Sequence, residues 1–358
     1  MIENSALYKQ IYSIENLMQA GHRTLLDGRR YKREGSLFKL HYEKHLLQIQ
    51  KELQSKTYKP GNYRAFTIYE PKQRLVLAAP LKDRVVHHAL HDVVEPMIDS
   101  KFIYDSYACR NFKGTHKAIT RAQRFLQANT YFMHLDVKKY FPSINHAVLK
   151  NILKKHFSDT SILDLFDVII DSSLPKEQVV DLFNPFIEPK GLPIGNLTSQ
   201  FLANLYLNEL DQFVKHELKC RYYLRYMDDF VVFGRDRVWL KQTEQAIIAF
   251  CESKLQLALH LKGGIKNYNE GLGFLGFKIY RKHKMLKGVS LNRFLRNFQV
   301  KKKLQNAGMI DDKALQRSVN SWKNHSSFGD THRLHWFLQN KYKMKLTKMK
   351  LTEDAIYE

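Results

Sequence analysis

The segment Tyr226-Met227-Asp228-Asp229-Phe230-Val231-Val232-Phe233 places two adjacent carboxylates inside an apolar, β-prone run. Cys220–Met227 and Phe230–Phe233 are two short strand candidates, which predicts a hairpin with Asp228 and Asp229 at its tip. By itself an Asp-Asp pair is most often just a turn. In this hydrophobic frame the two carboxylates sit close together where water is scarce, repel one another, and need cations; hard Mg²⁺ ions suit oxygen ligands. A third aspartate, Asp136, ends another apolar run, Tyr131-Phe132-Met133-His134-Leu135. Two strand ends side by side would present Asp136, Asp228 and Asp229 to two Mg²⁺ ions. One ion activates an attacking hydroxyl and the other steadies the leaving oxygens of an in-line displacement.

The rest of the composition is compatible with such chemistry on a polyanion. The 358 residues carry 58 Lys plus Arg against 35 Asp plus Glu, a net charge of +23. A surplus of that size favours nucleic acid as partner, although a ribosomal-type binder or a membrane-surface protein shares it. The length suggests two or three subdomains and is ample for a core. The three cysteines, Cys109, Cys220 and Cys251, are far apart with no CxxC spacing, which supports neither a disulfide framework nor a zinc ribbon and fits a reducing cytosol. The N-terminal residues lack the plan of a signal peptide, and no apolar run approaches the ~18 residues of a membrane span.

Periodicity predicts a helix over about 37–55, a turn at Lys59-Pro60-Gly61, and β-prone runs from Arg64 to Ala79 broken at Glu70-Pro71. A helix from Lys82 to about Val94, with Val85, Val86, Leu90, Val93 and Val94 inward, should stop before Pro96. Further helices are predicted over Thr115–Leu126, from Ile144 onward, from about Asn196 to Lys219, and over Arg237–Lys254. Ser172–Lys190, with Pro175, Pro185 and Pro189, reads as irregular. Gly271–Tyr280 is hairpin-like, and from Ser290 the pattern is helical and basic.

On these residues the chain resembles reverse transcriptases. Tyr226-Met227-Asp228-Asp229 looks like their catalytic box, and Leu135-Asp136-Val137-Lys138-Lys139-Tyr140-Phe141 like their first metal-binding motif. Arg74 to Arg84 resembles the fingers motif, Asp105 to His116 an insertion shared by bacterial and intron-type enzymes, and Gly273-Phe274-Leu275-Gly276-Phe277 the primer-grip hairpin. The collinear match covers about residues 50–285. It implies an α/β right-hand polymerase: an N-terminal helical region and fingers over 1–130, a palm over 131–288 with a fingers-contributed segment at about 160–200, and a helical thumb over 289–358.

Residues 191–200, Gly-Leu-Pro-Ile-Gly-Asn-Leu-Thr-Ser-Gln, carry a finer distinction. Retroviral and group II intron enzymes usually have Gln-Gly-x-x-x-Ser-Pro here, whereas this chain has Ile194 in place of Gln and Gln200 in place of Pro. That form, with Asp83-Arg84-Val85-Val86-His87-His88-Ala89-Leu90, resembles the reverse transcriptases of diversity-generating retroelements. In that family template adenines are copied with errors and the mutated cDNA replaces part of a target gene. A Gln beside the nascent pair can hydrogen-bond; Ile offers only apolar contact, which should loosen discrimination between transition states. The plain alternative is a neutral replacement in an ordinary group II intron-like or phage-defence enzyme.

The resemblance also distributes roles. The catalytic residues are Asp136, Asp228 and Asp229, with the Val137 main chain completing the metal site. Nucleotide contacts fall to Lys72, Arg74, Phe141, Ile194, Gly195, Gln200 and Lys262. Phe141 is the bulky gate against a ribose 2′-hydroxyl, whereas an RNA-dependent RNA polymerase would want a small or polar residue there. Lys262 sits roughly where a general acid would meet the leaving pyrophosphate. Template and primer contacts fall to Arg84, Arg110, Ser199, Tyr226, Met227, Leu275 and Gly276. His87, His88 and His91 read as facing phosphate or solvent, because no Glu completes a zinc pattern. Lys301–Lys303, Lys341, Lys343, Lys345, Lys348 and Lys350, with Trp322 and Trp336 between, suit a thumb on duplex phosphates, a docking face for a protein or structured RNA, or a solvated surface. The expected partners are a template RNA with its cDNA and primer, dNTPs and a small basic accessory protein oligomer, with no membrane and a cytoplasmic location. The roughly 70 residues after the boundary at 288 leave no room for an RNase H or endonuclease domain. An RNA-binding chaperone on a dead polymerase fold is a different class, disfavoured by the intact aspartates.

Overall fold

The computed structural model describes residues 4–26, 28–69, 73–172, 188–342 and 344. They form two compact units, the first from residues 1–114, 133–232 and 238–264, the second from 115–132, 233–237 and 265–358.

In chain order the helices α1 (Asn4–Ile11), α2 (Ile14–Thr24), α3 (Arg33–Leu40) and α4 (Tyr42–Gln54) come first. The single helix expected over 37–55 is therefore split: His41, at φ −114° and ψ 34°, separates α3 from α4. Strands β1 (Arg64–Ile68) and β2 (Arg74–Ala78) pair antiparallel, with Ile68 opposite Arg74. The turn before them is held by the fully buried Asp83, which accepts from the Tyr58 hydroxyl at 2.9 Å and the Gly61 amide at 2.8 Å.

Asp83 lies in α5 (Leu81–Asp99), whose Val85, Val86, Leu90 and Val94 are buried as the periodicity predicts, while Val93 is only half-buried. The helix does not stop before Pro96 but runs through it to Asp99. Pro96 is on the exposed side, and burial of Val94 and Ile98 on the other side outweighs one lost helical hydrogen bond. His87 is also in this core, 2% exposed with no partner for Nε2, rather than facing phosphate or solvent.

Next come α6 (Thr115–Ala128), β3 (Tyr131–Val137), the short α7 (Tyr140–Ser143), α8 (His146–His156), α9 (Thr160–Asp171) and α10 (Leu197–Gln212). Most of the Ser172–Lys190 stretch lies outside the described residues. Helix α10 is buried on nearly every side and continues into one π-helical turn, Phe213–Glu217, before the chain turns at Lys219. Strands β4 (Tyr223–Tyr226) and β5 (Asp229–Gly234), helix α11 (Arg237–Lys254) and strand β6 (Leu259–Asn267) follow. The central sheet has the order β4-β5-β3-β6, which sets β3 beside both β5 and β6.

In the second unit β7 (Leu272–Phe274), β8 (Phe277–Ile279) and β9 (Lys284–Leu286) make an antiparallel sheet. Arg281 ties it to α6 by donating to the carbonyls of Leu126 and Asn129, both at 2.9 Å. Helices α12 (Gly288–Asn306), α13 (Asp312–Ser326) and α14 (His332–Tyr342) enclose Phe294, Phe298, Val319, Leu338 and Met344. Trp322 stacks on Phe294 at 3.9 Å as part of that packing, whereas Trp336 is 68% exposed. Lys343, Lys345, Lys348 and Lys350 lie outside the described residues. No described helix is long and apolar enough to cross a membrane.

Candidate active site

The hairpin β4–β5 pairs Tyr226 with Asp229, so its two-residue tip is Met227-Asp228 and Asp229 is already the first residue of β5. Met227 has φ 56°, a left-handed conformation that hairpin turns commonly reserve for Gly or Asn. Such a residue costs on the order of 1–3 kcal/mol and must be held by its surroundings. The holder is Arg225, which is 0% exposed and donates from Nη1 to the Met227 carbonyl at 3.0 Å. Its other donors reach Asp211 on α10 at 2.6–3.0 Å and the Asn204 side chain at 2.9 Å. Tyr223 adds a hydroxyl bond to Asp211 at 2.7 Å. The network extends to the loop after α5: Tyr107 N donates to Arg225 O at 2.9 Å, and Asn204 Nδ2 to Ala108 O at 2.6 Å.

Asp136 stands near the end of β3, and the Val137 amide donates to the Asp228 main-chain carbonyl at 3.3 Å. Lys262, on β6, bridges two of the three carboxylates, 2.9 Å from Asp229 and 3.5 Å from Asp136. Asp229 is also hydrogen-bonded to the ring of His134. The fold thus gathers Asp136, Asp228, Asp229 and Lys262, and adds His134, Arg225 and Asp211. Strand alternation could have shown His134, since residues two apart on a strand share a face with Asp136.

The electrostatics separate the two adjacent aspartates. Burial, followed by the charge of Asp136, raises the Asp228 carboxyl to about 6. Burial also works against ionised Asp229, but the hydrogen bond and charge of His134, with Lys262, outweigh it and hold that carboxyl below its ordinary value. Among the described residues no group of three or more His, Cys, Asp or Glu is arranged to hold a metal ion. The excess negative charge rests on Asp136 and Asp228, oxygen donors of the kind a hard divalent cation takes. Asp229 is the carboxylate held most closely by protein groups, His134 and Lys262, although Lys262 also lies 3.5 Å from Asp136.

Of the other expected residues, Ile194 accepts from the Leu77 amide at 3.2 Å, which attaches it to β2. Gly195 has φ 113°, and a Cβ there would meet Val76 Cγ1 at 2.8 Å. Arg74 is exposed on β2; Lys72 lies outside the described residues. Phe141 is half-buried against Tyr140, whose hydroxyl donates to Ala203 O in the core. Arg84 donates to Ala79 O at 2.8 Å, and Ser199 is 2% exposed. Arg110 forks onto Asp99 at 2.5 and 3.1 Å. Gln200 is exposed and accepts from Cys109 Sγ at 3.6 Å. Leu275, at φ 45°, and Gly276 form the β7–β8 turn in the second unit.

Residues 59–279 match the family model described as reverse transcriptase (RNA-dependent DNA polymerase). The chain is 27% identical to the protein YkfC of Escherichia coli over 279 residues, 65% of this chain and 71% of that protein. It is 25% identical to the group II intron-encoded protein LtrA of Lactococcus lactis over 175 residues, 48% of this chain and 28% of LtrA. A telomerase structure from Candida albicans, in complex with a fragment of telomeric RNA, aligns with 86% of this chain and 64% of its own at 10% identity and a TM-score of 0.44. The mixed helix-and-sheet body is a right-hand polymerase fold, and the chain belongs to the reverse transcriptase family of RNA-directed DNA polymerases.

Proposed function

We propose that this chain makes error-prone cDNA from a template-repeat RNA, in the manner of a diversity-generating retroelement. The observation that carries the reading is Ile194. Its main chain is bonded to β2 next to Gly195, and by resemblance it puts an apolar side chain where retroviral and group II intron enzymes usually have Gln. The group II intron relatives favour a second reading, an intron-like enzyme of ordinary fidelity.

In the proposed reaction a primer 3′-hydroxyl attacks the α-phosphorus of a dNTP. Asp136 and Asp228, with the main chain at Val137, would hold the divalent ions, two Mg²⁺ in this reading, that activate the hydroxyl and neutralise charge at phosphorus. Asp229 supports them while His134 and Lys262 hold it. Lys262 gives a proton to the departing pyrophosphate. Arg74, and Lys72 beside it, meet the triphosphate. Phe141 blocks the 2′-hydroxyl. Gly195 and Gln200 flank the nascent pair, and Arg84, Tyr226, Met227, Leu275 and Gly276 lie along template and primer; the buried Ser199 and the Asp99-bound Arg110 support that face from within. The fingers are assigned to 1–130, the palm to 131–288 and the thumb to 289–358, with the basic α12–α14 on duplex phosphates. A small basic accessory protein is the proposed partner, in the cytoplasm.

The test is primer extension on a primed RNA with dNTPs and Mg²⁺. The wild-type chain should extend the primer and Asp228→Asn should not. Equal activity in the variant would overturn the assignment of the carboxylates.

A further inference from the structure

Within the first unit, residues 188–195 form a strap that ends at Ile194 and Gly195, and the start of α8 clasps it. The Gly191 amide donates to Ile144 O at 2.8 Å, the Leu192 amide to Phe141 O at 2.9 Å and the His146 amide to Pro189 O at 3.0 Å. Asn145 and Lys190 form an antiparallel bridge. At its far end the strap is bonded to β2, where the Leu77 amide meets Ile194 O at 3.2 Å. Phe141 and Ile194, the residues assigned to sugar and base selection, are thus tied to one short segment.

Two side chains complete the clasp. Asn145 caps α8 by accepting from the Val148 amide at 3.1 Å, while its Nδ2 donates to the Glu188 carboxylate and to Gln256 Oε1, the latter at 2.7 Å. His146 is 2% exposed, and its Nε2 lies 2.8 Å from Gly191 O. A carbonyl only accepts, so Nε2 carries the proton of this bond. Burial, the main cause, holds the ring below its ordinary pKa, so at neutral pH it is uncharged and Nδ1 is bare. Nδ1 has no hydrogen-bond partner, with the Asp171 carboxylate 3.8 Å away. A leucine would fill similar space without a buried unpaired nitrogen; what the imidazole adds is the donor to Gly191. Gly191 has φ 110°. Glycine enters and leaves such a conformation freely, so the bend needs a hold from outside.

We infer that His146 is a positioning residue for nucleotide selection: through Gly191 it fixes the strap, and the strap sets Phe141 and Ile194 together. The inference rests on the proposed roles of Phe141 as sugar gate and of Ile194 beside the nascent pair. Loosening the strap weakens sugar and base selection at once, whereas a change of Phe141 or Ile194 alone alters one of them.

The test compares His146→Leu, which keeps the bulk and removes the donor, with His146→Gln, whose amide keeps a donor near the Nε2 position. Asn145→Ser retains a helix cap but drops the bonds to Glu188 and Gln256, so it frees the strap independently should the leucine variant not fold. Ile152→Val, a small cavity further along α8, is the stability control. The full chain extends a primed RNA with dNTP and rNTP in competition, and the cDNA is sequenced. His146→Leu and Asn145→Ser should raise rNTP use and misincorporation together by roughly 2–10-fold, the scale of one lost hydrogen bond. KM for the correct dNTP should rise more than kcat falls. His146→Gln should return to wild-type values, and Ile152→Val should change neither selectivity. Unchanged selectivity in the strap variants, a shift as large in Ile152→Val, or no restoration by Gln would overturn the inference. Phe141→Ala is run beside them. No rise in rNTP use there counts against the gate reading itself, whereas a rise there without one in the strap variants counts against His146 alone.

Discussion

Arg225 Nη1 lies 3.0 Å from the main-chain oxygen of Met227, so the side chain leading into the carboxylate turn also fixes it. Arg225 and Asp211 are both 0% exposed. Removing one partner strands the other as a buried charge, which costs about 3–5 kcal/mol, whereas replacing both by apolar residues of similar volume is often neutral. Arg225→Leu should therefore melt at markedly lower temperature. The double variant Arg225→Met, Asp211→Leu should recover much of that stability. It still lacks a donor for Met227, so its kcat should stay about 10–100-fold down, the scale of a misplacement near 1 Å. Recovery of kcat along with stability would reduce Arg225 to a structural role.

His87 supplies an acid-sensitive point away from the carboxylates. Burial first, then the charges of His88 and Arg84, push its ring down to about 3. The unfolded ring takes a proton near 6.5, the folded one only near 3. Stability from this residue is thus complete above pH 6.5 and is lost as pH falls toward 3. At pH 5 the cost relative to pH 7 is roughly 2 kcal/mol. Urea unfolding of His87→Leu at the two pH values should show a smaller acid loss by about that amount. An identical pH dependence in both proteins would refute this.

These two cases show what was legible from sequence. The β4–β5 hairpin and α11 were, because alternation and helical spacing are local signals: Arg237–Lys254 is found as expected. Asp136 was placed at a strand end for the same reason. The His134–Asp229 bond joins residues 95 apart and depends on β3 lying next to β5, which no local pattern encodes. Arg225 was hidden among 58 cations, and only burial distinguishes it. Pro96 does not end α5, because packing on the opposite face of the helix outweighs its local preference.

Lys262 is held 2.9 Å from Asp229 and 3.5 Å from Asp136, and in the proposed reaction its ammonium would give a proton to the departing pyrophosphate. General acids contribute typically 10²–10⁴-fold. Lys262→Ala should lower the single-turnover extension rate by about 10²-fold or more with a smaller change in dNTP affinity. An unchanged rate would leave Lys262 as a structural ion-pair partner of Asp136 and Asp229.

Phe141 is half-buried, and its carbonyl accepts from the Leu192 amide at 2.9 Å, so its main chain is fixed independently of the ring. Phe141→Ala should leave that contact in place and raise rNTP use relative to dNTP by about tenfold or more, the scale of steric discrimination in a pocket. Competitive incorporation of the two nucleotides measures it, and no rise would remove the gate role.

Ile194 gives the sharpest test of the proposed error-prone copying. Its main chain is anchored to Leu77, so the backbone at this position should survive a change of side chain. Gln is similar in length and adds one donor and one acceptor. A hydrogen bond of this kind is worth about 0.5–1.5 kcal/mol net, which corresponds to roughly 2–12-fold in discrimination. Ile194→Gln should therefore lower misincorporation opposite template adenine by that factor, with smaller changes opposite the other bases, as read by sequencing cDNA made from one RNA by both proteins. An error spectrum identical in the two would mean that Ile194 does not set fidelity, and would favour the ordinary intron-like enzyme.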